Sequence, residues 1–461
     1  MELTKDVIQR CHALHYKALT TDVVDRVKYL VLDFIGVAAR GALSDSSGCV
    51  QRFIVNLDNA RDGAVIIGTD LKTSPSYAAL ANGAAAHSLE LDDVVNEASL
   101  HPAVAIMPAA LAAAHIAGCS GKEFIAAITA GYEVMIKLGV ALDPAAHYAR
   151  GFHPTGTCGT MGAAVTAAKI LKLDDKAMMN ALGIAGSQAA GSMEFLSDGA
   201  FTKRLHPGWA AHSGIIAALL ARENFTGPAT IIEGKFGFLH SYSPGSKAAR
   251  VVRNWGDPYA VMRTSIKPHA CCRYKQGPID GIIQIMRGNN LDDSQVEKVT
   301  LGILKAGFAI VAEPESQKYN PKSVVDAQFS MPFGAAVAIL NGKATLDEYT
   351  LESVNSVRVK ELMGKISCIK DPELEKEFPK KWPASVTLQA KDGKTYSTRI
   401  DFPKGDPENP LTWDELIDKF RNLVDPVFIQ TRQNEIIERT RSLEKEEDLK
   451  AFSMRLLTDE G

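Results

Sequence analysis

The residues best suited to chemistry lie in one short stretch, between His87 and His101. Two histidines flank an acidic run there, and the run contains Glu90, Asp92 and Asp93. The segments on both sides are rich in alanine and are typical of buried helices. Burying this many ionisable groups costs several kcal/mol unless they pair with one another or serve a reaction. The stretch therefore predicts a functional site, although acids that cap a helix end beside a core histidine would give the same pattern.

The spacing also predicts which of these side chains lie on the same face of a helix. A small-residue helix over 76–86 delivers the first histidine, and helical spacing would place His87, Glu90 and Leu91 on one face. A polar break then precedes His101 and a second alanine-rich helix. We therefore expect His101 at a break that opens a helix. His87 lies within helical sequence, where a histidine satisfied in the core is the more common outcome.

A second candidate is the segment 150–159, which contains His153 ahead of an alanine-rich helix predicted over 160–171. Its three glycines would let the backbone approach a ligand closely, and the following helix N-terminus would attract a carboxylate. The spacing matches neither a P-loop nor a dinucleotide fingerprint, so we exclude a nucleotide site of those types. A histidine that only caps a turn is the alternative.

A third candidate is the polar break 192–209, which carries positive charge between two small-residue helices. Lys203, Arg204 and His206 lie there, and apolar residues occur among them, namely Phe195, Leu196, Phe201 and Trp209. Cations enclosed by apolar side chains are typical of pockets that bind carboxylates. A solvated basic loop is the competing interpretation.

Other chemistries lack a supporting motif. The sequence contains no H-E-x-x-H, no C-x-x-C and no G-x-S-x-G, and the adjacent Cys271 and Cys272 chelate zinc poorly. We therefore expect no metal site, and a cysteine–histidine nucleophile is possible but unsupported. Acid–base chemistry remains. Histidines, lysines and acids can together remove a proton beside a carboxylate and bind carboxylates through cations.

Composition limits the class of protein. A chain of 461 residues is too long for one core and suggests two or three domains. The formal net charge of -3 leaves no basic surface, so neither nucleic acid nor an anionic membrane is an expected partner. Seven scattered cysteines are typical of a reduced, cytoplasmic protein, and the start of the chain resembles no signal peptide. The apolar segment 103–119 is interpreted as a buried helix.

Periodicity predicts a mainly α fold in which a smaller α+β domain is inserted into a large all-helical domain. Residues 1–265 and 403–461 carry helical periodicity and form the helical domain; residues 266–402 form the inserted lid domain. Within the lid we predict strands over 296–304 and 354–359, an apolar helix over 326–340, and a hairpin over 385–399 that turns at Asp392-Gly393.

Five motifs resemble those of the MmgE/PrpD superfamily: H-S-L-E-L-D-D…H-P, G-F-H-P-T-G-T-C-G, T-K-R-L-H-P-G-W-A-A, I-K-P-H-A-C-C-R-Y and A-Q-F-S-M-P-F. They cover nearly the whole chain in the family's order. The resemblance implies a helical domain built from both chain ends, an inserted lid and a homodimer. It also implies reactions of small di- or tricarboxylates without a metal or organic cofactor. The family includes 2-methylcitrate dehydratase, cis-aconitate decarboxylase and iminodisuccinate epimerase.

The resemblance assigns roles to particular residues. His101 and His153 match family histidines and are the expected acid–base pair. Glu90 takes the position of a family aspartate, and with Asp93 it would orient a histidine or raise its pKa. The remaining predicted residues would bind substrate, and these are Lys203, Lys267, His87, His206 and Arg273. We expect Lys203 and Lys267 to hold two carboxylates, one from each domain.

Two positions depart from the family pattern. Val94 stands where a threonine usually follows the acidic pair, and Phe333 stands where some members have a tyrosine. Losing two hydroxyls removes hydrogen-bonding capacity, which argues against cis-aconitate as substrate. Dehydration of the 2-methylcitrate type is the best-known activity of the family, and this analogy favours a hydro-lyase. An epimerase, a decarboxylase and a non-enzymatic carboxylate-binding protein are the alternatives.

Overall fold

A computed structural model describes residues 2–58, 60, 62–378 and 380–458. The chain divides into two compact units. The first contains the residues up to Ser88, Asp92–Thr264, and the chain from Thr412 onward. The second contains Leu89–Leu91 and Ser265–Leu411. The prediction of a mainly helical chain with a small α+β part is confirmed.

Helices make up most of the first unit before residue 264. They are α1 (Leu3–Ala13), α2 (Thr21–Gly41), α3 (Asp45–Leu57), α4 (Pro75–Ala86), α5 (Ala103–Ala117), α6 (Gly121–Leu142), α7 (Pro144–Ala149), α8 (Pro154–Ile170), α9 (Asp175–Gln188), α10 (Thr202–Arg222) and α11 (Phe238–Tyr242). A two-stranded antiparallel sheet pairs β1 (Ala64–Val65) with β2 (Lys72–Thr73).

The second unit combines short helices with one sheet. Its elements are α12 (Gln276–Gly288), β3 (Val296–Ile303), α13 (Lys305–Val311), α14 (Glu315–Lys318), α15 (Val324–Gln328), α16 (Met331–Asn341), α17 (Leu351–Asn355), α18 (Val357–Met363), β4 (Ile366–Lys370), α19 (Pro372–Glu375), β5 (Ala384–Ala390) and β6 (Thr395–Ile400). The chain then returns to the first unit with α20 (Trp413–Val424), α21 (Gln430–Arg441) and α22 (Leu449–Ser453).

The core of the first unit is built from helices with small side chains. Helices α4, α5, α8 and α10 pack on one another, and almost every residue of α5 and α8 is buried. Helices α4 and α10 meet at glycines, because a Cβ on Gly83 would lie 2.6 Å from the Cα of Gly208. Such close contacts leave no room for larger side chains. They bring the end of α4 and the start of α10 to the same region.

Among the described residues, α6 alone is long and apolar enough for a membrane span. The structure buries 94% of its apolar window inside the protein. A serine caps its start, since the Ser120 hydroxyl accepts from the Glu123 amide and the Glu123 carboxylate accepts from the Ser120 amide. This capping box satisfies backbone amides at the start of the helix.

The sheet of the second unit has the strand order β4-β3-β5-β6. Strand β3 pairs parallel with β4 and antiparallel with β5, and β5 and β6 form a hairpin. The predicted turn at Asp392-Gly393 is confirmed, with Gly393 at a φ of 87°. Helix α12 packs on this sheet, where Gly281 lets it approach Val386.

Two predictions for the second unit are wrong. The predicted strand 354–359 forms parts of α17 and α18 instead, and the Ser356 hydroxyl caps α18 by accepting from the Val359 amide. Valines fit strands and helices alike, so the serine cap decides the outcome. The predicted helix 326–340 is broken between α15 and α16. There Ser330 caps the new helix and Pro332 prevents an uninterrupted one.

The packing of α10 on α8 generates a test of the fold. A Cβ on Gly214 would lie 2.5 Å from the Cβ of Ala163 and 2.7 Å from the backbone nitrogen of Ala164. Gly214→Ala should therefore lower the free energy of unfolding by about 1–3 kcal/mol through overpacking. Urea unfolding measures the change. Gly288→Ala is the control, because a Cβ there meets nothing within 4 Å. Equal stabilities for the two variants would contradict this packing.

Candidate functional site

The centre of the candidate site is the carboxylate of Asp92. Its Oδ2 lies 2.7 Å from Nδ1 of His87 and 3.0 Å from Nδ1 of His101. His87 and Asp92 are buried, and 16% of the His101 side chain is exposed. The two imidazole rings meet edge to face with centroids 5.1 Å apart. One buried carboxylate thus contacts both histidines of the acidic stretch. The alternative in which His87 is a satisfied core histidine is met only at Nδ1, because its buried Nε2 has no hydrogen-bond partner among the described residues.

The backbone fixes which nitrogen of His101 carries hydrogen. Its Nδ1 also lies 2.6 Å from the carbonyl oxygen of Asp93, and a carbonyl can only accept. Nδ1 is therefore the donor, which leaves Nε2 as the basic nitrogen of a neutral His101 ring. The amide of His101 donates to the hydroxyl of Thr155 at 3.2 Å. These contacts hold the ring in one orientation.

The prediction that His87, Glu90 and Leu91 share a helical face is wrong. Helix α4 ends at Ala86, and His87 is its C-cap residue. Glu90 has a φ of 57°, a left-handed conformation that a right-handed helix cannot contain. The early end of the helix lets the His87 ring meet Asp92.

Asp93 has a different environment from Asp92. Its Oδ2 accepts from the Tyr132 hydroxyl at 2.8 Å, and its Oδ1 accepts from the Ala103 amide at 3.0 Å. Burial raises the pKa of Asp93 to about 8 despite these two hydrogen bonds. The side chain predicted to orient a histidine therefore holds the start of α5. In the structure Asp92 contacts the histidines, and Asp93 contributes its carbonyl oxygen.

His153 is the N-cap residue of α8, which begins at Pro154. The glycine-rich loop is therefore shorter than predicted, and Gly156 and Gly159 are helical. A Cβ on Gly156 would lie 2.4 Å from the carbonyl oxygen of Ala190, so these glycines serve close packing. The His153 ring stacks on His87 with centroids 5.7 Å apart. His153 thus joins the same cluster as His87 and His101.

His206 completes the cluster of histidines. Its Nδ1 lies 3.1 Å from Nδ1 of His153, and Phe195 packs against both rings. The predicted loop is wrong here, because α10 starts at Thr202 and places Lys203, Arg204 and His206 in its first turns. Of the apolar residues predicted to enclose these charges, Phe195 is buried. The others are exposed, and these are Leu196, Phe201 and Trp209.

Burial and nearby positive charge lower the pKa of three of these histidines, His87, His153 and His206. Burial lowers the pKa of His87, and the nearby Asp92 carboxylate opposes this effect. Burial lowers the pKa of His153 well below its usual value, and the neighbouring histidines and Lys203 add to the effect. Burial also lowers the pKa of His206 to about 4. The positive charge of Lys203 contributes to the lowering of all three pKa values.

The cluster offers a set of atoms that could bind a metal. Ligand atoms of His87, Asp92 and His101 lie within 4.8 Å of one another. Two imidazoles and a carboxylate suit a divalent cation such as zinc. The two Nδ1 atoms are the ones that contact Asp92, so a cation would replace both contacts. The expectation of a metal-free site stays a prediction.

Three predicted site residues belong to the second unit, namely Glu90, Lys267 and Arg273. Arg273 donates to both oxygens of Asp406 at 2.6 Å and lies over the Trp382 ring. This buried ion pair gives Arg273 a structural partner. Burial raises the pKa of Cys271, and the charge of Glu90 adds to this rise, whereas the charge of the buried Lys267 opposes it. The orienting role of Glu90 and the substrate role of Lys267 and Arg273 stay predictions.

Sequence reasoning did not select Asp92, Tyr132 or Thr155 as site residues. Asp92 and Asp93 are adjacent residues of the same type in one acidic run, so the sequence did not distinguish them. Tyr132 lies in apolar helical sequence, where a single hydroxyl is common, and Thr155 lies in the predicted glycine-rich segment 150–159. A polar group in the middle of a buried helix is the signal that could have identified Tyr132.

A mainly helical fold that brings histidines and carboxylates together in its interior is typical of an enzyme that transfers protons. Comparison with known proteins identifies the family. Residues 6–250 match the MmgE/PrpD N-terminal domain, and residues 269–445 match the MmgE/PrpD C-terminal domain. The chain belongs to the MmgE/PrpD family.

Several relatives align over most of this chain. A cis-aconitate decarboxylase-like protein of Aspergillus oryzae is 27% identical over 453 residues, which cover 94% of this chain and 92% of the relative. A cis-aconitate decarboxylase of Aspergillus terreus is 27% identical, covering 94% of this chain and 91% of its own. The Homo sapiens cis-aconitate decarboxylase is 26% identical, covering 98% and 94%. These matches support an enzyme of the lyase class.

The low histidine pKa values predict how stability depends on pH. In the unfolded chain a histidine binds a proton near pH 6.5, whereas folded His206 does so only near pH 4. Between these pH values the unfolded state holds more protons, so the free energy of unfolding should fall as the pH falls. His206→Gln should reduce this loss, as measured by urea unfolding at pH 7.5, 6 and 5.

The exposed His240 provides a matched control for this experiment. His240→Gln should retain the full loss of stability on acidification. If both variants lost stability in parallel with the unmodified protein, His206 would not be held neutral by its surroundings.

Proposed function

We propose that this protein is a cofactor-independent lyase that acts on a small di- or tricarboxylate through proton transfer at His101 and His153. The observation that carries the proposal is the buried cluster of histidines around Asp92, with Lys203 beside it. Family membership and decarboxylase relatives support the lyase class.

The two histidines suit complementary steps. A base that removes a proton beside a carboxylate must be neutral before the reaction, and burial keeps His153 neutral. His101 donates through Nδ1, so its Nε2 is available for proton exchange, and Asp92 stabilises a positive charge on that ring. One histidine would take the proton, and the other would return a proton to the leaving group or to the product carbon.

Lys203 supplies the positive charge that this chemistry needs. Removing a proton beside a carboxylate places negative charge on the substrate oxygens, and a fixed cation stabilises that charge. The same ammonium group would bind a carboxylate of the resting substrate. A carboxylate-binding protein without activity would use the lysine but would not require two histidines to exchange protons.

Dehydration of a 2-methylcitrate-type substrate is our first candidate reaction. When the carbon next to the carbanion carries a hydroxyl, the second histidine can protonate it and water leaves. This choice rests on analogy with the best-known activity of the family and not on a residue of the site.

Decarboxylation of cis-aconitate is the second candidate, and the names of the relatives favour it. The structure weakens one argument against it. Phe333 is fully buried, and its ring packs on Tyr349 with centroids 5.4 Å apart. Packing in the core of the second unit explains a phenylalanine there without reference to substrate.

Incubating the protein with 2-methylcitrate and with cis-aconitate in D2O separates these candidates. Proton NMR should show loss of water from 2-methylcitrate, or release of CO2 from cis-aconitate with deuterium in the product. Deuterium incorporation without either change would indicate epimerisation. No reaction and no exchange across a wider panel of polycarboxylates, with binding retained, would favour the carboxylate-binding alternative.

Replacing either proposed acid–base residue should abolish most activity. We expect His101→Gln and His153→Gln each to lower kcat by roughly 10²–10⁴-fold, the usual contribution of a general acid or base. Rates are measured on the substrate that the unmodified protein converts, and circular dichroism checks folding.

His87→Gln serves as the comparison within the cluster. It also loses a contact with Asp92 but should affect the rate less. If the His101 and His153 variants kept near-normal turnover while the His87 variant did not, the acid–base role would belong to His87.

Lys203→Ala should affect substrate binding more than folding. Removing the cation weakens attraction for the carboxylate, so KM should rise by about 10-fold or more, as expected for a lost charged hydrogen bond worth ~1.5–3 kcal/mol. Lys203→Arg should recover part of the loss because it keeps the charge. Unchanged KM in Lys203→Ala would exclude a substrate-binding role.

A further inference from the structure

We propose that His206 is a proton relay that sets the tautomer of His153 and carries its proton to solvent. This inference rests on the proposed function, because it assigns His206 a role toward the acid–base residue His153 instead of toward substrate. His206 would be a positioning residue that acts through His153.

The contact between the two rings is direct. Nδ1 of His153 and Nδ1 of His206 lie 3.1 Å apart, a distance for one hydrogen bond with one hydrogen between the nitrogens. If His153 holds that hydrogen, its Nε2 is unprotonated and can act as a base. If His206 holds it, a neutral His153 must carry hydrogen on Nε2 and can act as an acid.

The surroundings keep this contact in place. The amide of His153 donates to the carbonyl oxygen of Gly191 at 2.9 Å. A Cβ on Gly191 would lie 3.4 Å from Nδ1 of His206 and 3.5 Å from the Cβ of His153. Gly191 also has a φ of 141°, which favours glycine. Phe195 covers both rings, with centroids 6.2 and 5.8 Å from His153 and His206.

His153 and His206 differ in their access to water. This difference gives proton transfer a direction, from His153 through His206 to solvent. His153 is only 3% exposed, whereas His206 is partly exposed in the first turns of α10. A proton that the buried ring removes from substrate therefore needs a route outward. His206 provides one, because it contacts His153 on the nitrogen opposite the reacting one.

The proton balance of one cycle is simple. The substrate C–H bond breaks, its electron pair stays on the substrate, and the proton forms an N–H bond at Nε2 of His153. The Nδ1 hydrogen of His153 then passes to Nδ1 of His206, and His206 releases its Nε2 hydrogen to water. His153 ends neutral with hydrogen on Nε2, ready to act as an acid. The reverse sequence restores the starting tautomers.

The surroundings of His153 and His206 make a positive charge on either ring short-lived. Lys203 and burial both disfavour a resting imidazolium on either ring. A proton accepted by His153 is thus driven onward instead of being trapped. This behaviour suits a relay that must return to its neutral state after each turnover.

The first test reads the tautomer without requiring turnover. Nitrogen NMR of the protein labelled with 15N-histidine should show a neutral His153 with one protonated ring nitrogen, assigned with His153→Gln. His206→Phe keeps an aromatic ring but removes both nitrogens, so the His153 signals should change markedly. His212→Gln should leave them unchanged. His153 signals that were identical in His206→Phe would overturn the proposal.

The second test uses activity on whichever of 2-methylcitrate and cis-aconitate the unmodified protein converts. His206→Ala should lower kcat by about 10²-fold, the lower range for a proton-transfer group, and added imidazole should restore part of the rate. His212 is the matched control, since it lies on the same helix, is partly buried, and stacks on Trp209. His212→Gln should keep normal kcat.

The two tests separate the relay from the proposed function. If His206→Ala lost activity with an unchanged pH profile and no recovery in imidazole, its role would be structural and the relay would be wrong. If the unmodified protein converted neither substrate, the proposed function would fail. The NMR experiment would still decide whether His206 controls the His153 tautomer.

Discussion

The geometry of the candidate site depends on one buried carboxylate. Asp92 is 3% exposed, and a charge in that position is tolerable only when hydrogen-bond donors surround it. His87 at the end of α4 and His101 before α5 both meet its Oδ2. Because these two contacts come from opposite ends of the connection between the helices, they fix the path of the chain through the acidic stretch. Removing Asp92 would leave the buried ring of His87 and the partly exposed ring of His101 without their shared acceptor.

Close packing of small residues makes this arrangement possible. Glycine and alanine allow α4, α5, α8 and α10 to approach closely, as the contact between Gly83 and Gly208 shows. The ends of these helices then carry His87, His101, His153 and His206 into one region. Larger side chains at the crossings would separate the helices and the rings with them. The alanine-rich composition of the core is thus a requirement of the site as well as of the fold.

Burial keeps several titratable groups of this region uncharged at neutral pH. Burial raises the pKa of Asp93 to about 8, so the protonated form of Asp93 predominates at neutral pH. Burial and Lys203 keep His153 and His206 neutral. Because these two rings are held neutral, a proton on either of them costs stability and does not remain there. Such a site is suited to a substrate that brings its own negative charge.

The sequence by itself determined much of the architecture. Helical periodicity, the capping residues of α6 and the Asp392-Gly393 turn are local properties, so the mainly helical class and the hairpin could be predicted. Motifs also identified the family and most of the histidines. Where two local signals competed, as for the valines at 354–359, sequence reasoning gave a strand and the structure has helices.

Only the tertiary structure decided which groups meet. Asp92 and Asp93 are neighbours of the same type, and the structure separates them because one faces the histidines and the other faces Tyr132. The contact between His153 and His206 joins residues 53 positions apart, which no local pattern predicts. Burial then lowers or raises each pKa according to these surroundings. Side-chain chemistry is encoded locally, but protonation depends on distances that arise when distant helices pack.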